Sequence, residues 1–414
     1  GASSLNASAR ATLVANSAPS EGGAIYLDGG SSAHLVGESV VGNSTGATNG
    51  GCASIAGASA LTMLGAAQMR SCSAAAYGGC AALVAGSSAT ISDAASVSGC
   101  DALDGGGFSV LTGSTLLVDG NAAVRSNRAD QGGGGVYIDS SELHIRDDAR
   151  VVSNEAGSDG GGGAYAISST TTMIGGAVDQ NECTANGGGL RVVGGTLALA
   201  GDASVSSNVG DANGYGGGVS AETSAEVTIN GSASIMNNEA GNGGGFALIS
   251  SVRATCAEQA KIDANTADYG GGVYVDSFSK LLLESDAEPY VSISSNIVTK
   301  NGAGAYITGD ATLNILGAEL SSNQAGANGG ALNAGFKAFL SVNGMLADGN
   351  EAGARFLLCP KFTMRRSNSR LSSSRVRSQV NLAAWPTLTR RLTSKDSATP
   401  TARGIEPCAA ASPI

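Results

Sequence analysis

Short runs of alternating apolar and polar residues, each broken by Gly, Ser, Asn or Asp, follow one another along this chain. Residues 133–159 show the unit: GGGVYIDSSELHIRDDARVVSNEAGSD. VYI and LHI alternate, RVV is a third apolar run, and turn-forming residues separate the three. The pattern predicts three short strands and three turns per unit. Apolar residues at helical spacing are absent, and so is the frame of a leucine-rich repeat.

The unit recurs. A Gly-Gly-small tripeptide followed by an alternating strand appears twelve times, one copy imperfect as Gly302-Ala303-Gly304, from Gly22 to Gly329 at intervals of 26–29 residues with one of 32. A second column keeps step with it, an aliphatic residue three positions before an Asn, as in VRSN, VVSN, VDQN, VSSN, IDAN and ISSN. We read this column as a stacked ladder of Asn16, Asn43, Asn127, Asn154, Asn181, Asn208, Asn238, Asn265, Asn296, Asn323 and Asn350, with Cys72 and Cys100 in the two missing registers. Two columns in step imply coils stacked about 4.8 Å apart, the spacing of parallel strands. The expected fold is all-β: a right-handed, single-stranded parallel β-helix of about twelve coils over residues 1–354, roughly 58 Å long. Stacked Asn amides would satisfy turn backbone that no sheet reaches.

The paired motifs carry a resemblance. GGA followed by an aliphatic residue, as at residues 22–25, and Φ-x-x-N, as at residues 151–154, resemble the polymorphic outer-membrane protein repeat. The likeness covers about residues 10–354 and extends more broadly to pectin-lyase-like right-handed β-helix proteins. That family favours Phe in F-x-x-N, whereas every copy here has an aliphatic residue. No barrel-forming segment follows the repeats in this sequence. The resemblance therefore implies fold and a surface setting, with adhesin roles, rather than a mode of export.

Charge divides the chain. Residues 1–354 hold 12 Lys/Arg against 32 Asp/Glu, a net of −20, and residues 355–414 hold 11 against two, a net of +9. All but one of the 63 Gly precede residue 355. Residues 355–414 read as a basic Ser/Arg/Pro-rich tail, either a disordered segment able to dock on anionic polymers or a gene-model artefact, with no stable fold expected for 360–414. The acidic repeat domain excludes the usual basic nucleic-acid binder, and no apolar run is long enough for a transmembrane segment.

Candidate chemistry is sparse. Cys52 and Cys80 share one column and Cys72 and Cys100 another, so each pair forms either a disulfide along its column or a buried thiol ladder. Cys183 and Cys256 stand singly. His34 and His144 are expected on second strands, facing solvent. The outward column of the first strand reads Tyr26, Ser54, Ala82, Ser109, Tyr137, Tyr165, Arg191, Ser220, Ala247, Tyr274, Tyr306 and Asn333. Tyr137 with Tyr165, and Tyr274 with Tyr306, would stack on adjacent coils, as a ligand platform or as plain cross-strand packing. Asp148 and Asp202, with Arg146, Arg150 and Asp147, form the nearest approach to a carboxylate cluster.

No cofactor, zinc or calcium site is expected, because C-x-x-C spacing and the Ca²⁺-binding nonapeptide are both absent. Sequons occur at Asn6, Asn43 and Asn230, the second expected to be sequestered as a ladder residue. These features point to an extracellular or cell-surface structural and adhesive protein presenting an extended wall to a host or cell-surface protein or glycan. The alternative is a polysaccharide lyase or hydrolase on the same fold.

Overall fold

Each turn of the chain lays down three main strands and, in most turns, a short fourth, and each pairs in parallel with the matching positions of neighbouring turns. This computed structural model describes residues 2–46, 48–286, 288, 290–353 and the backbone of 380–382. These residues belong to one compact unit, Gly1–Ala384; the second unit, Trp385–Ile414, lies outside them. First strands form a 13-stranded sheet, and second and third strands together a 22-stranded one. A short strand after the ladder position forms two further sheets, of seven and four strands. The chain is thus an all-β parallel solenoid.

It has about thirteen turns rather than twelve. The additional turn is the first, in which Ser4–Ala7 pairs with Ser32–Leu35 and Thr12–Val14 with Val40–Gly42. No Gly-Gly precedes it in this sequence, so the motif does not mark it. At the other end Val380–Leu382 pairs in parallel with Leu332–Ala334. The rest of the basic tail lies outside the described residues.

The interior is a continuous core of stacked aliphatic residues such as Leu35, Leu61, Ile91, Leu116 and Leu143, with Phe108 and Phe246 the largest fully buried side chains. Strand alternation sends one set of side chains into this core and the other outward.

The asparagine column shows why the Φ-x-x-N motif exists. Asn208 is completely buried. Its amide nitrogen donates to Val178 O and to Asn238 Oδ1, both at 3.0 Å. Its Oδ1 accepts from the backbone N of Asn181 at 2.9 Å and from Asn181 Nδ2 at 3.0 Å. Val178 lies three residues before Asn181, so the Φ carbonyl of one turn is the acceptor for the Asn of the next. The same bonds run from Asn127 through Asn154, Asn181, Asn208, Asn238, Asn265, Asn296 and Asn323 to Asn350. In every turn the residue just before the ladder position has positive φ, as at Ser126, Ser153, Ser207 and Ser322. This left-handed residue turns the next side chain into the coil.

Two expectations about this column need correction. Asn43 is not a ladder residue. It occupies the left-handed position, φ 49°, and its side chain is exposed. Ser44 fills the ladder register, buried and accepting from the Asn16 backbone N at 3.3 Å. Asn16 itself is exposed at the first turn. The sequon at Asn43 is therefore open to solvent.

The cysteine pairing is also different. The disulfides are Cys52–Cys72 and Cys80–Cys100, each closing a single turn with Cα atoms 5.4 Å apart. Side chains in one column point the same way, whereas these columns face each other across a corner of the coil. In eight of the other turns, from Gly107 to Gly304, the position of Cys52 and Cys80 is the last Gly of the motif, while Ala24 and Ala331 hold it in the remaining two copies. A Cβ on Gly107, Gly135 or Gly189 would lie 3.0, 3.0 and 2.8 Å from the amide nitrogen of Asn127, Asn154 and Asn208 respectively. The third Gly leaves room for the ladder Asn, and a bridge fills that room where Asn is missing. Cys183 and Cys256 are free and buried. Burial raises the Cys183 thiol and pushes that of Cys256 up to about 12, so neither is a ready nucleophile.

Candidate functional site

The outward column of the first-strand sheet runs unbroken from Tyr26 through Tyr137, Tyr165, Arg191, Tyr274 and Tyr306 to Asn333. It is not a flat exposed wall. Ser54, Ala82, Ser109, Ser220 and Ala247 point away from the core yet are almost fully buried. The column is therefore walled and largely covered by flanking side chains, and we call the lane between them the furrow. One flank is the turn residue just before each Gly-Gly pair, which bridges from turn to turn at Glu21, Asn49, Tyr77 and Asp104, and again at Tyr215, Asn242 and Tyr269.

Two aromatic clusters fill this furrow. In the first, Tyr137 meets Tyr77 at 6.0 Å between centroids and Tyr165 edge-on at 5.6 Å. Arg191 caps it, with its guanidinium carbon 5.0 Å from the Tyr165 ring centre. Gly132 makes this packing possible, since a Cβ there would lie 2.4 Å from the Tyr165 ring. In the second, Tyr274 meets Tyr215 at 5.6 Å and stacks on Tyr306 at 5.6 Å, while Tyr269 meets Tyr306 at 5.3 Å. Tyr165 and Tyr274 are 8% exposed, so the accessible rings are their half-buried neighbours.

Sequence reading finds the four strand tyrosines and misses Tyr77, Tyr215 and Tyr269. Their signal is Tyr-Gly-Gly, the same turn position in three units. Of the nine Tyr in the chain, only Tyr290 lies off the two furrow columns.

Charge is organised around the rings. Arg191 makes a two-pronged ion pair with Glu222, Nε to Oε1 and Nη2 to Oε2, both 3.0 Å, and donates a third bond to the Asp159 carbonyl. Asn186 and Ser220 also donate to Glu222 Oε1, each at 3.0 Å. Burial draws the Arg191 pKa down, but the bond and charge of Glu222 outweigh it and hold the guanidinium firmly protonated. Tyr137 is raised by burial and then by Asp104 and Asp139; Tyr274 is raised by burial and then by Asp276 and Tyr215.

Asp104 is the flank residue of the turn between those of Tyr77 and Tyr137, 7% exposed, accepting from the Gly132 N–H at 3.1 Å. Burial raises its pKa against the pull of that N–H, and Asp159 adds to the rise. The folded chain thus binds the Asp104 proton more tightly than the unfolded chain, whose carboxyl titrates near 3.8. The resulting stability is complete below that value and is lost as pH rises through the folded pKa. Asp104→Asn keeps an acceptor for Gly132 and removes the charge. It should raise the melting temperature at pH 7 and leave it nearly unchanged at pH 3. Thermal scans at the two pH values check this, and equal shifts at both would show that the charge is not the cause.

The remaining candidates lie elsewhere. His34 and His144 are half-buried on outward positions of second strands, with His144 Nε2 3.3 Å from Glu142 Oε2. Of the cluster around Arg146, Asp147 meets Asp119 of the adjacent turn, a residue outside the cluster read from the sequence. The Asp119 carboxyl is raised by desolvation, then by its hydrogen bond to Asp147, while Arg146 pulls the other way. Arg150 pairs instead with Asp179 at 3.0 Å. Among the described residues no group of three or more His, Cys, Asp or Glu is placed to hold a metal ion, and no helix is long and apolar enough to cross a membrane. No family model matches the chain, and neither a curated protein nor a solved structure matches it.

Proposed function

We propose that the protein is an extracellular or cell-surface structural and adhesive rod, with the tyrosine furrow as its binding face. The observation that carries this reading is the gathering of eight of the nine Tyr in the two neighbouring columns of this furrow. Tyr combines a large apolar face with a polar tip and suits contact with a partner. A solenoid repeats such a column at fixed spacing and so displays it along a rigid length. The two disulfides support an oxidising compartment. The motifs shared with surface-exposed β-helical passengers agree with that setting.

The test is binding of the full chain to a panel of extracellular proteins and glycans. Tyr137→Leu and Tyr306→Leu should each weaken the interaction at least tenfold, while Leu316→Ser on the second-strand sheet should not. Binding that ignores both tyrosines would defeat the reading.

A polysaccharide lyase or hydrolase is the second reading. The observation on its side is Asp104, a buried carboxyl raised towards an acid's role beside Tyr137 and Asp159. Shortening of an acidic or neutral polysaccharide by the full chain, abolished in Asp104→Asn, would establish it.

A further inference from the structure

The furrow already holds two cations in one kind of setting. Arg191 lies over the Tyr165 ring and pairs with Glu222, and Lys300 lies 4.8 Å from the Tyr269 ring centre and 2.9 Å from Asp268. In each case an aromatic face and a carboxylate share one positive side chain, the arrangement that stabilises a cation against its hydration shell.

The same two clusters hold further rings and carboxylates that neither Arg191 nor Lys300 pairs with. At Tyr77 and Tyr137 the acidic groups are Asp104 and Asp139; at Tyr215, Tyr274 and Tyr306 the acidic group is Asp276, which accepts from the Tyr274 hydroxyl at 3.2 Å. Among the described residues no ion pair gives Asp104, Asp139 or Asp276 a basic partner. The repeat domain around them carries a net charge of −20. A neutral saccharide would leave these carboxylates without a counter-charge, whereas a basic side chain supplies one.

We propose that the furrow binds an extended basic polypeptide, one Arg or Lys seated at Tyr77–Tyr137 and a second, about seven residues along, at Tyr215–Tyr274–Tyr306. The proposal rests on the furrow being the binding face. The spacing follows from the fold. Tyr137 and Tyr274 are five rungs apart in the first-strand sheet. Five rungs span about 24 Å, and an extended chain advances about 3.4 Å per residue. The acidic rod attracts any basic chain over its Debye length, but only the two ring clusters impose a distance.

The experiment uses the full chain and labelled 16-residue peptides, otherwise neutral and Ser/Thr-rich, with two Arg placed three, seven or eleven positions apart, in 0.15 M salt. We expect the seven-residue spacing to bind at least tenfold tighter than the other two. Tyr137→Leu, Tyr306→Leu or Asp139→Asn should each reduce it to their level, with circular dichroism unchanged. Equal affinity for all spacings would mean only a diffuse acidic field and would overturn the proposal. Tyr137-dependent displacement by a synthetic 355–414 peptide would support the same chemistry, with the chain's own basic tail as the occupant. If neutral oligosaccharides bind in a Tyr137-dependent way and the Arg peptides do not, the binding face stands and the basic partner falls. If neither binds, both fall.

Discussion

Replacing Asn208 by Ala should destabilise the solenoid by about 3–5 kcal/mol, more than any surface substitution. Four groups lose a partner in a fully buried site: Val178 O, Asn238 Oδ1, and the backbone and side-chain N–H groups of Asn181. Each unsatisfied buried group costs about 1–3 kcal/mol, tempered by partial relaxation or an entering water. Asn208→Asp tests the bonding pattern at constant shape. It replaces the donor by an anionic oxygen facing two acceptors, so its cost should exceed that of Ala at neutral pH. Because each turn contacts only its neighbours, the loss should appear first as local opening. Amide exchange at Asn181 and Val209 should speed up while that at Leu35 stays slow. An Asn208→Ala protein with parental exchange at Asn181 would show that the ladder is ornamental.

The second large effect is an exchange of one filling of the turn for another. Cys80→Gly alone breaks the bridge and should cost about 3 kcal/mol, the value expected for closing a loop of this size. Cys100→Asn alone is worse, because its amide must enter space that Cys80 occupies. The double change Cys80→Gly/Cys100→Asn should return to within about 1 kcal/mol of the oxidised parent. It reproduces the Gly107–Asn127 pairing one turn earlier. Asn127 Oδ1, which now accepts only the Cys100 backbone N at 3.0 Å besides its neighbour contacts, would gain a side-chain donor. Met69 O stands where Val97 O receives the Asn127 amide at 3.2 Å. Denaturation midpoints of the four proteins form a double-mutant cycle with an expected coupling above about 2 kcal/mol. Additive costs would show that the two fillings are not interchangeable.

This interchange also explains where sequence reading stops. Φ-x-x-N and the outward column are legible because each repeats in a fixed register, and repetition exposes residues that stack. The relation between Cys52 and Cys72 is of another kind. It runs across the coil, between two columns, and one-dimensional periodicity contains no term for what faces what. Only the coincidence of Cys at both positions in the same two turns hints at it. Asn43 misleads for a related reason. It is Asn, it is one residue from the register, and a left-handed turn position accepts Asn as readily as Ser. The true ladder residue, Ser44, is too ordinary to stand out. Tyr77, Tyr215 and Tyr269 escape because a residue before a Gly-Gly turn reads as loop, whereas the furrow makes it the flank of a site.

Both bridges begin and end within one turn, so among the described residues no covalent link other than the main chain joins one turn to the next. Pulled from its ends, such a rod would peel one turn at a time rather than yield all at once. Each closed ring spans a sequence separation of 20 residues. An oxidised chain drawn taut would therefore fall short of the reduced one by about 60 Å per ring. In a tether under flow or traction, oxidation would set the reach of the protein without altering the force that unzips the turns below Cys100.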